Sequence, residues 1–245
     1  MKTPVEQFEE EKKERVRAQG ADAGLRELSA RWFEASYAHK YPYNFTWLGR
    51  PIIQYPHDVL AMQEIVWRVR PELIVETGIA HGGSLVLSAS LLELLGGEGR
   101  VVGVDIDIRA HNRAAIEAHP LAKRISMIEG SAVDPAVAER VRGFVREGAP
   151  TMVVLDSNHT HEHVLDELRL YAPLVTPGSY LVVFDTVVED LPEGTFPDRP
   201  WGKGNNPKTA VRQYLNECDR FVVDEELESK LLISCAPGGY LRCVK

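Results

Sequence analysis

Residues 73–95, LIVETGIAHGGSLVLSASLLELL, constrain the fold more than any other part of the chain. The stretch opens on Leu73-Ile74-Val75, an apolar run suited to a parallel strand buried on both faces. Glu76 closes that strand, and a turn containing Gly78, Gly82 and Gly83 follows. Ser84 stands where a helix N-cap belongs, ahead of Leu85, Leu87, Leu91, Leu92 and Leu95. In a strand, glycine turn and helix so ordered, glycines let the backbone approach a ligand and the helix start offers unpaired N–H groups.

The same alternation recurs along the chain. Apolar runs at 101–104, 125–128, 152–155 and 180–184 predict four further strands, with helices expected over 112–118, 136–147, 161–170 and 209–217. Segments 221–223 and 231–235 read as late strands, and 240–244 pairs back across Pro237-Gly238-Gly239. Strands alternating with helices give an α/β fold, a doubly wound and mostly parallel sheet. The last strands lack a crossover helix, so one near the C-terminus is expected to be antiparallel. Ahead of the sheet, 5–18 and 25–37 predict two helices split near Gly20. Residues 40–58 carry five aromatics (Tyr41, Tyr43, Phe45, Trp47 and Tyr55) and read as a flap beside the site, with Asp58 capping a helix over 59–70. The expected division is therefore a helical arm and aromatic flap over 1–58, and a ligand-binding domain over 59–245.

Composition narrows the partners. A net charge of −8 without a basic block argues against nucleic acid. No apolar run approaches the ~20 residues that span a bilayer, and the charged first residues are unlike a secretory signal. Three cysteines without CxxC spacing read as reduced thiols, hence a cytoplasmic expectation. The first helix is almost all charge and suits an arm between subunits of a homo-oligomer.

Ligands of open α/β sheets bind beyond the carboxyl ends of the strands. Glu76, Asp105, Asp156 and Asp185 each stand at such an end, giving one crevice an excess of negative charge. A carboxylate at Glu76 would repel a pyrophosphate but would meet an amino group, which points to S-adenosylmethionine rather than NAD. Thr77, Gly78, His81, Gly82 and Ser84 are then the turn's cofactor contacts, Asp105 is placed for ribose hydroxyls with Asp107 as competitor, and Ser131 for the adenine. Asp156 and Asp185 make a pair of hard oxygen ligands for Mg2+. His159, three residues beyond Asp156, is a candidate base for a hydroxyl proton, ahead of His161 and His163. Residues 195–207, with Trp201, read as a lid over the substrate. An NAD-dependent oxidoreductase or a non-catalytic S-adenosylmethionine-binding assembly protein would use the same sheet. The absence of GxGxxG counts against the first.

The segments FTWLGRPIIQYPHD, ELIVETGIAHGGS, VVGVDID, LDSNHTHEHVLDELRLYAPLVTPGSYLVV and RPWGKGNNPKTAV resemble the cephalosporin-hydroxylase-type and rhamnosyl O-methyltransferase family of class I S-adenosylmethionine-dependent methyltransferases. The resemblance covers roughly residues 40–245. It implies a seven-stranded, Rossmann-like sheet and Mg2+-assisted methyl transfer to a small-molecule hydroxyl acceptor, a sugar or natural-product glycoside fitting best and a flat phenolic ring also suiting the aromatic flap. It assigns Glu76, Gly78 and Asp105 to the cofactor, Asp156 to the metal and His159 to the base, and it implies an oligomer; Asp156, at its strand end, is expected to touch the cofactor as well. One departure is visible: the family's metal site takes adjacent acidic or amide residues after the fifth strand, whereas here Phe184 and Thr186 flank Asp185.

Overall fold

The computed structural model describes residues 2–245. The two helices expected at the start of the chain are α1 (Pro4–Ala21) and α2 (Ala23–Tyr37), divided by Asp22, whose side chain caps α2 through the Leu25 N–H. A hairpin of β1 (Phe45–Trp47) and β2 (Arg50–Ile52) leads into α3 (Pro56–Val69). Then come β3 (Leu73–Thr77), α4 (Gly83–Leu95), β4 (Arg100–Asp105), α5 (Ala110–Glu117), β5 (Ile125–Glu129), α6 (Pro135–Arg142), β6 (Thr151–Leu155), α7 (His161–Tyr171) and β7 (Tyr180–Val183). The chain ends with α8 (Pro207–Glu217), β8 (Phe221–Val223), α9 (Glu225–Leu231) and β9 (Tyr240–Cys243).

Seven strands form the main sheet in the order β5-β4-β3-β6-β7-β9-β8, parallel throughout except for β9. Alternation along each strand divides the core into two layers. Ile74, Val101, Met152 and Val182 pack under α3 and α4, while Val75, Val102, Val153 and Leu181 pack against α6, α7 and α8. The chain leaves β3 toward β4 on one side and returns to pair β6 on the other, so the order reverses between β3 and β6 and a crevice opens beyond their carboxyl ends.

Several local expectations are corrected. Residues 231–235 form no strand: α9 runs to Leu231, and Leu232 turns with a left-handed φ of 58°. Asp58 is the cause. It does not cap a helix but sits fully buried in the first turn of α3, where Oδ1 accepts from Ser234 Oγ (2.6 Å) and Tyr240 OH (2.7 Å), and Oδ2 accepts from the Cys235 N–H (2.9 Å). These bonds draw 234–235 under α3 rather than along the sheet edge. The aromatic segment 40–58 is no open loop, because Leu48 and Gly49, with φ of 44° and 87°, make a two-residue turn that closes the β1–β2 hairpin. Its Tyr41 and Tyr55 pack with Trp32 of the arm, and Trp47 Nε1 donates to Ser90 Oγ on α4 (3.0 Å). Helix α6 ends at Arg142, five residues before the expected limit.

Candidate active site

The β3 turn begins as expected and ends differently. Gly82, with φ of 82°, takes the N-cap position of α4 that the sequence gives to Ser84. Ser84 Oγ instead turns back and donates to Glu76 Oε1. Glu76 is buried, and that burial pushes its carboxyl up to about 7, opposed by the Ser84 hydrogen bond. The turn glycines answer to protein neighbours. A Cβ on Gly78 would lie 2.0 Å from the Asp156 carbonyl oxygen, since the ends of β3 and β6 press together there. One on Gly83 would lie 2.2 Å from the Pro51 carbonyl oxygen, where the hairpin is seated.

Asp105 braces this turn. Its Oδ2 accepts from the N–H groups of Ile79 (2.8 Å) and Ala80 (3.3 Å), and its Oδ1 from Asp107 N–H (3.2 Å). Asp107 itself lies beyond the end of β4 and is exposed. Arg50 of the hairpin reaches the turn as well, donating to the His81 carbonyl through Nε (2.9 Å) and to Asn112 Oδ1 (3.0 Å).

Opposite lie the ends of β6 and β7. Asp185 has a left-handed φ of 54°, a conformation Asp tolerates better than most residues. Its neighbours turn away: Phe184 is in the core, and Thr186 is buried with Oγ1 donating to the Pro237 carbonyl (2.9 Å). Asp185 alone of the three faces the crevice, so no adjacent side chain supplements it there. Asp156, His159 and Asp185 come together, each offering one ligand atom within 4.8 Å of the others, and His159 Nε2 is 3.1 Å from Asp185 Oδ2. Protein packed around Asp156, then the charges of Asp185 and Glu76, hold its carboxyl well above the usual carboxylate range. Unbalanced carboxylates of this kind fit a divalent cation, which would relieve their repulsion.

Pro51–Gln54, Gly78, His81, Ser84, Asp156, His159 and Asp185 line one cavity of about 200 Å³. Glu76 is reached through Ser84, and Asp105 through Ile79 and Ala80. Thr77, fully buried in β3, Gly82 and Ser131 do not line it. Of the loop histidines, His161 faces α8, with Nδ1 2.8 Å from Thr209 Oγ1, and His163 Nε2 is 3.1 Å from Ser157 Oγ. On the far side of His159 and Asp185, a second recess of about 70 Å³ is walled by Tyr37, Phe196, Arg199 and Trp201. Trp201 meets the His159 ring edge-on at 4.8 Å, and Arg199 lies over Trp201. The 195–207 segment is tied down where Asn205 Oδ1 accepts from His161 N–H (2.9 Å) and Glu189 Oε2 accepts from Gly204 N–H (2.8 Å). The sequence reading misses Gln54 and Tyr37. The aromatic density around Gln54 draws attention to its segment but not to the residue, and nothing in α2 singles out Tyr37.

Solved structures share this fold. The chain superposes on CmcI with Mg and SAM with a TM-score of 0.58, at 21% identity, covering 83% of this chain and 78% of that one. It superposes on the O-methyltransferase from Bacillus cereus in complex with SAH with a TM-score of 0.53, at 16% identity, covering 91% and 92%. Curated relatives are nearer in sequence. The rhamnosyl O-methyltransferase of Mycobacterium tuberculosis (strain ATCC 25618 / H37Rv) is 32% identical over 201 residues, 80% of this chain and 77% of the relative. That of Mycobacterium leprae (strain TN) is 34% identical over 211 residues, 83% and 87%. The profile described as Rhamnosyl O-methyltransferase/CmcI matches residues 39–244, and on that match the chain belongs to the rhamnosyl O-methyltransferase/CmcI family.

Proposed function

We propose that the crevice between β3, β6 and β7 is the active site of an S-adenosylmethionine-dependent O-methyltransferase that uses Mg2+ and methylates a hydroxyl of a small molecule, a sugar or natural-product glycoside. One observation carries the reading: Asp156, His159 and Asp185 line the same cavity into which the β3 turn and the start of α4 open. Family membership makes the chain an S-adenosylmethionine-dependent O-methyltransferase, and its curated relatives are named for rhamnosyl acceptors. That membership, with the buried Glu76 at the strand end, disfavours an oxidoreductase or a non-catalytic assembly protein.

When bound, S-adenosylmethionine supplies an electrophilic methyl group, and Mg2+ supplies Lewis acidity toward the acceptor oxygen. Glu76, Gly78 and Asp105, with His81 and Ser84 of the turn and Ser131 beyond it, would receive the cofactor. Asp156 and Asp185 would hold the ion, and both are hard oxygen ligands of the type Mg2+ prefers. His159 completes the same cluster and could serve as a third ligand. Imidazole suits softer ions than Mg2+, which favours the role of base. With Nε2 3.1 Å from Asp185 Oδ2, His159 is placed so that Asp185 offsets the imidazolium charge that results when the ring takes the acceptor's proton. Tyr37, Phe196 and Trp201 would shape the acceptor side.

Val5, Phe8 and Leu28 stand exposed on the arm, which supports a homo-oligomer, and three free cysteines suit the cytoplasm. Among the described residues no helix is long and apolar enough to cross a membrane.

Labelled S-adenosylmethionine with a panel of sugars and glycosides, with Mg2+ or with chelator, tests the activity. His159→Ala should lower kcat by about 10²–10⁴-fold while S-adenosylhomocysteine affinity holds. Equal loss of both would remove His159 from the role of base.

A further inference from the structure

Gln54 lines the cavity, and neither the sequence pattern nor the proposed chemistry uses it. Its side chain is 4% exposed, and its Oε1 has no hydrogen-bond partner. Buried amide oxygens are nearly always paired, so an orphan in a ligand cavity marks a partner yet to arrive. The backbone around it is fixed. Ile52, two residues earlier, rests against Gly83, and Tyr55, the next residue, is buried with its OH 3.1 Å from Ser36 Oγ.

Ser84 lines the same cavity, and the chemistry behind it is one-sided. Ser84, in the first turn of α4, spends its hydroxyl hydrogen on Glu76 Oε1. That leaves a carboxylate and an unpaired carbonyl oxygen, both acceptors. A ligand group that satisfies two acceptors, one of them anionic, is a cationic donor with several N–H bonds, and an ammonium has three. A neutral hydroxyl could pair only one of them.

We propose that Gln54 Oε1 and Glu76 together receive the α-ammonium of the cofactor's amino-acid end, making Gln54 the residue that distinguishes an S-adenosyl amino acid from a simpler adenosine thioether. The inference rests on the proposed function and deepens it. It also gives the segment leaving the β1–β2 hairpin a role at the cofactor: that segment brings to the cavity an acceptor that the β3 turn itself lacks.

Isothermal titration with two probes, S-adenosylhomocysteine and 5′-methylthioadenosine, separates the amino-acid end from the nucleoside. Gln54→Leu should weaken S-adenosylhomocysteine by about tenfold or more, the scale of one hydrogen bond to a charged group, and leave 5′-methylthioadenosine within about twofold. Gln54→Glu keeps an acceptor in place and should stay within about threefold of wild type for S-adenosylhomocysteine. Because Gln54→Leu removes an orphaned oxygen, its Tm without ligand should not fall. Unchanged S-adenosylhomocysteine binding in Gln54→Leu, equal loss of both probes, or a Gln54→Glu variant as weak as the leucine would each overturn the assignment. A wild-type protein that binds neither probe would instead overturn the proposed function, and this inference with it.

Discussion

Replacing Glu76 with glutamine should stabilise the ligand-free protein at alkaline pH while weakening its hold on S-adenosylhomocysteine. Burial keeps the Glu76 carboxyl at about 7, against 4.5 for an ordinary glutamate. The native state therefore binds this proton more tightly than the unfolded chain does. The group's contribution to stability is fully present below about pH 4.5 and is lost as pH rises through about 7. At ~1.4 kcal/mol per pH unit, the ionised carboxylate costs the native state roughly 3 kcal/mol at pH 8 and under about 1 kcal/mol at pH 5. Glutamine fills the same space, keeps an acceptor for Ser84 Oγ and carries no charge. Urea denaturation of both proteins at pH 5 and pH 8 measures the difference. The variant's advantage should grow by roughly 2 kcal/mol between those conditions. Parallel pH profiles, or a variant less stable than wild type at pH 8, would refute the reasoning.

Two other substitutions test the frame around the site. Asp58→Ala strands Ser234 Oγ, Cys235 N–H and Tyr240 OH, and should cost about 2–4 kcal/mol, read from urea midpoints, after allowing for the relief of a buried carboxylate. Gly83→Ala drives a methyl group into the Pro51 carbonyl and should lower stability by about 1–3 kcal/mol; it should also weaken S-adenosylhomocysteine binding in titration calorimetry, because the hairpin leading to Gln54 must shift.

The sheet was legible because strand period, strand-end carboxylates and glycine turns are local signals. Leu73–Thr77, Arg100–Asp105 and Thr151–Leu155 fall within a residue or two of where apolar runs place them, and the carboxylates at their ends project into or brace one crevice. The failures share a cause, which is a side chain committed to a partner far away in sequence. Ser84 has the composition of a cap but is turned toward Glu76, so Gly82 begins the helix in its place. Residues 231–235 have the composition of a strand, but Asp58, some 176 positions earlier, claims Ser234 and Cys235. Gln54 carried no local signal. Its importance lies in what it lacks, and an unpaired oxygen is visible only once the surrounding atoms are in place.

The contact between Gly83 and Pro51 separates what this scaffold can vary from what it must keep. With no room for even a methyl group between the first turn of α4 and the hairpin, the cofactor-side wall admits almost no drift in shape. The opposite wall is built by Tyr37 from the arm and by Phe196, Arg199 and Trp201 from the 195–207 segment, pieces far apart in sequence whose Tyr37 and Phe196 rings meet edge-on. In the proposed enzyme, divergence toward new acceptors would accumulate on that wall. A library confined to those four positions should change which hydroxyl is methylated while leaving the methyl donor the same.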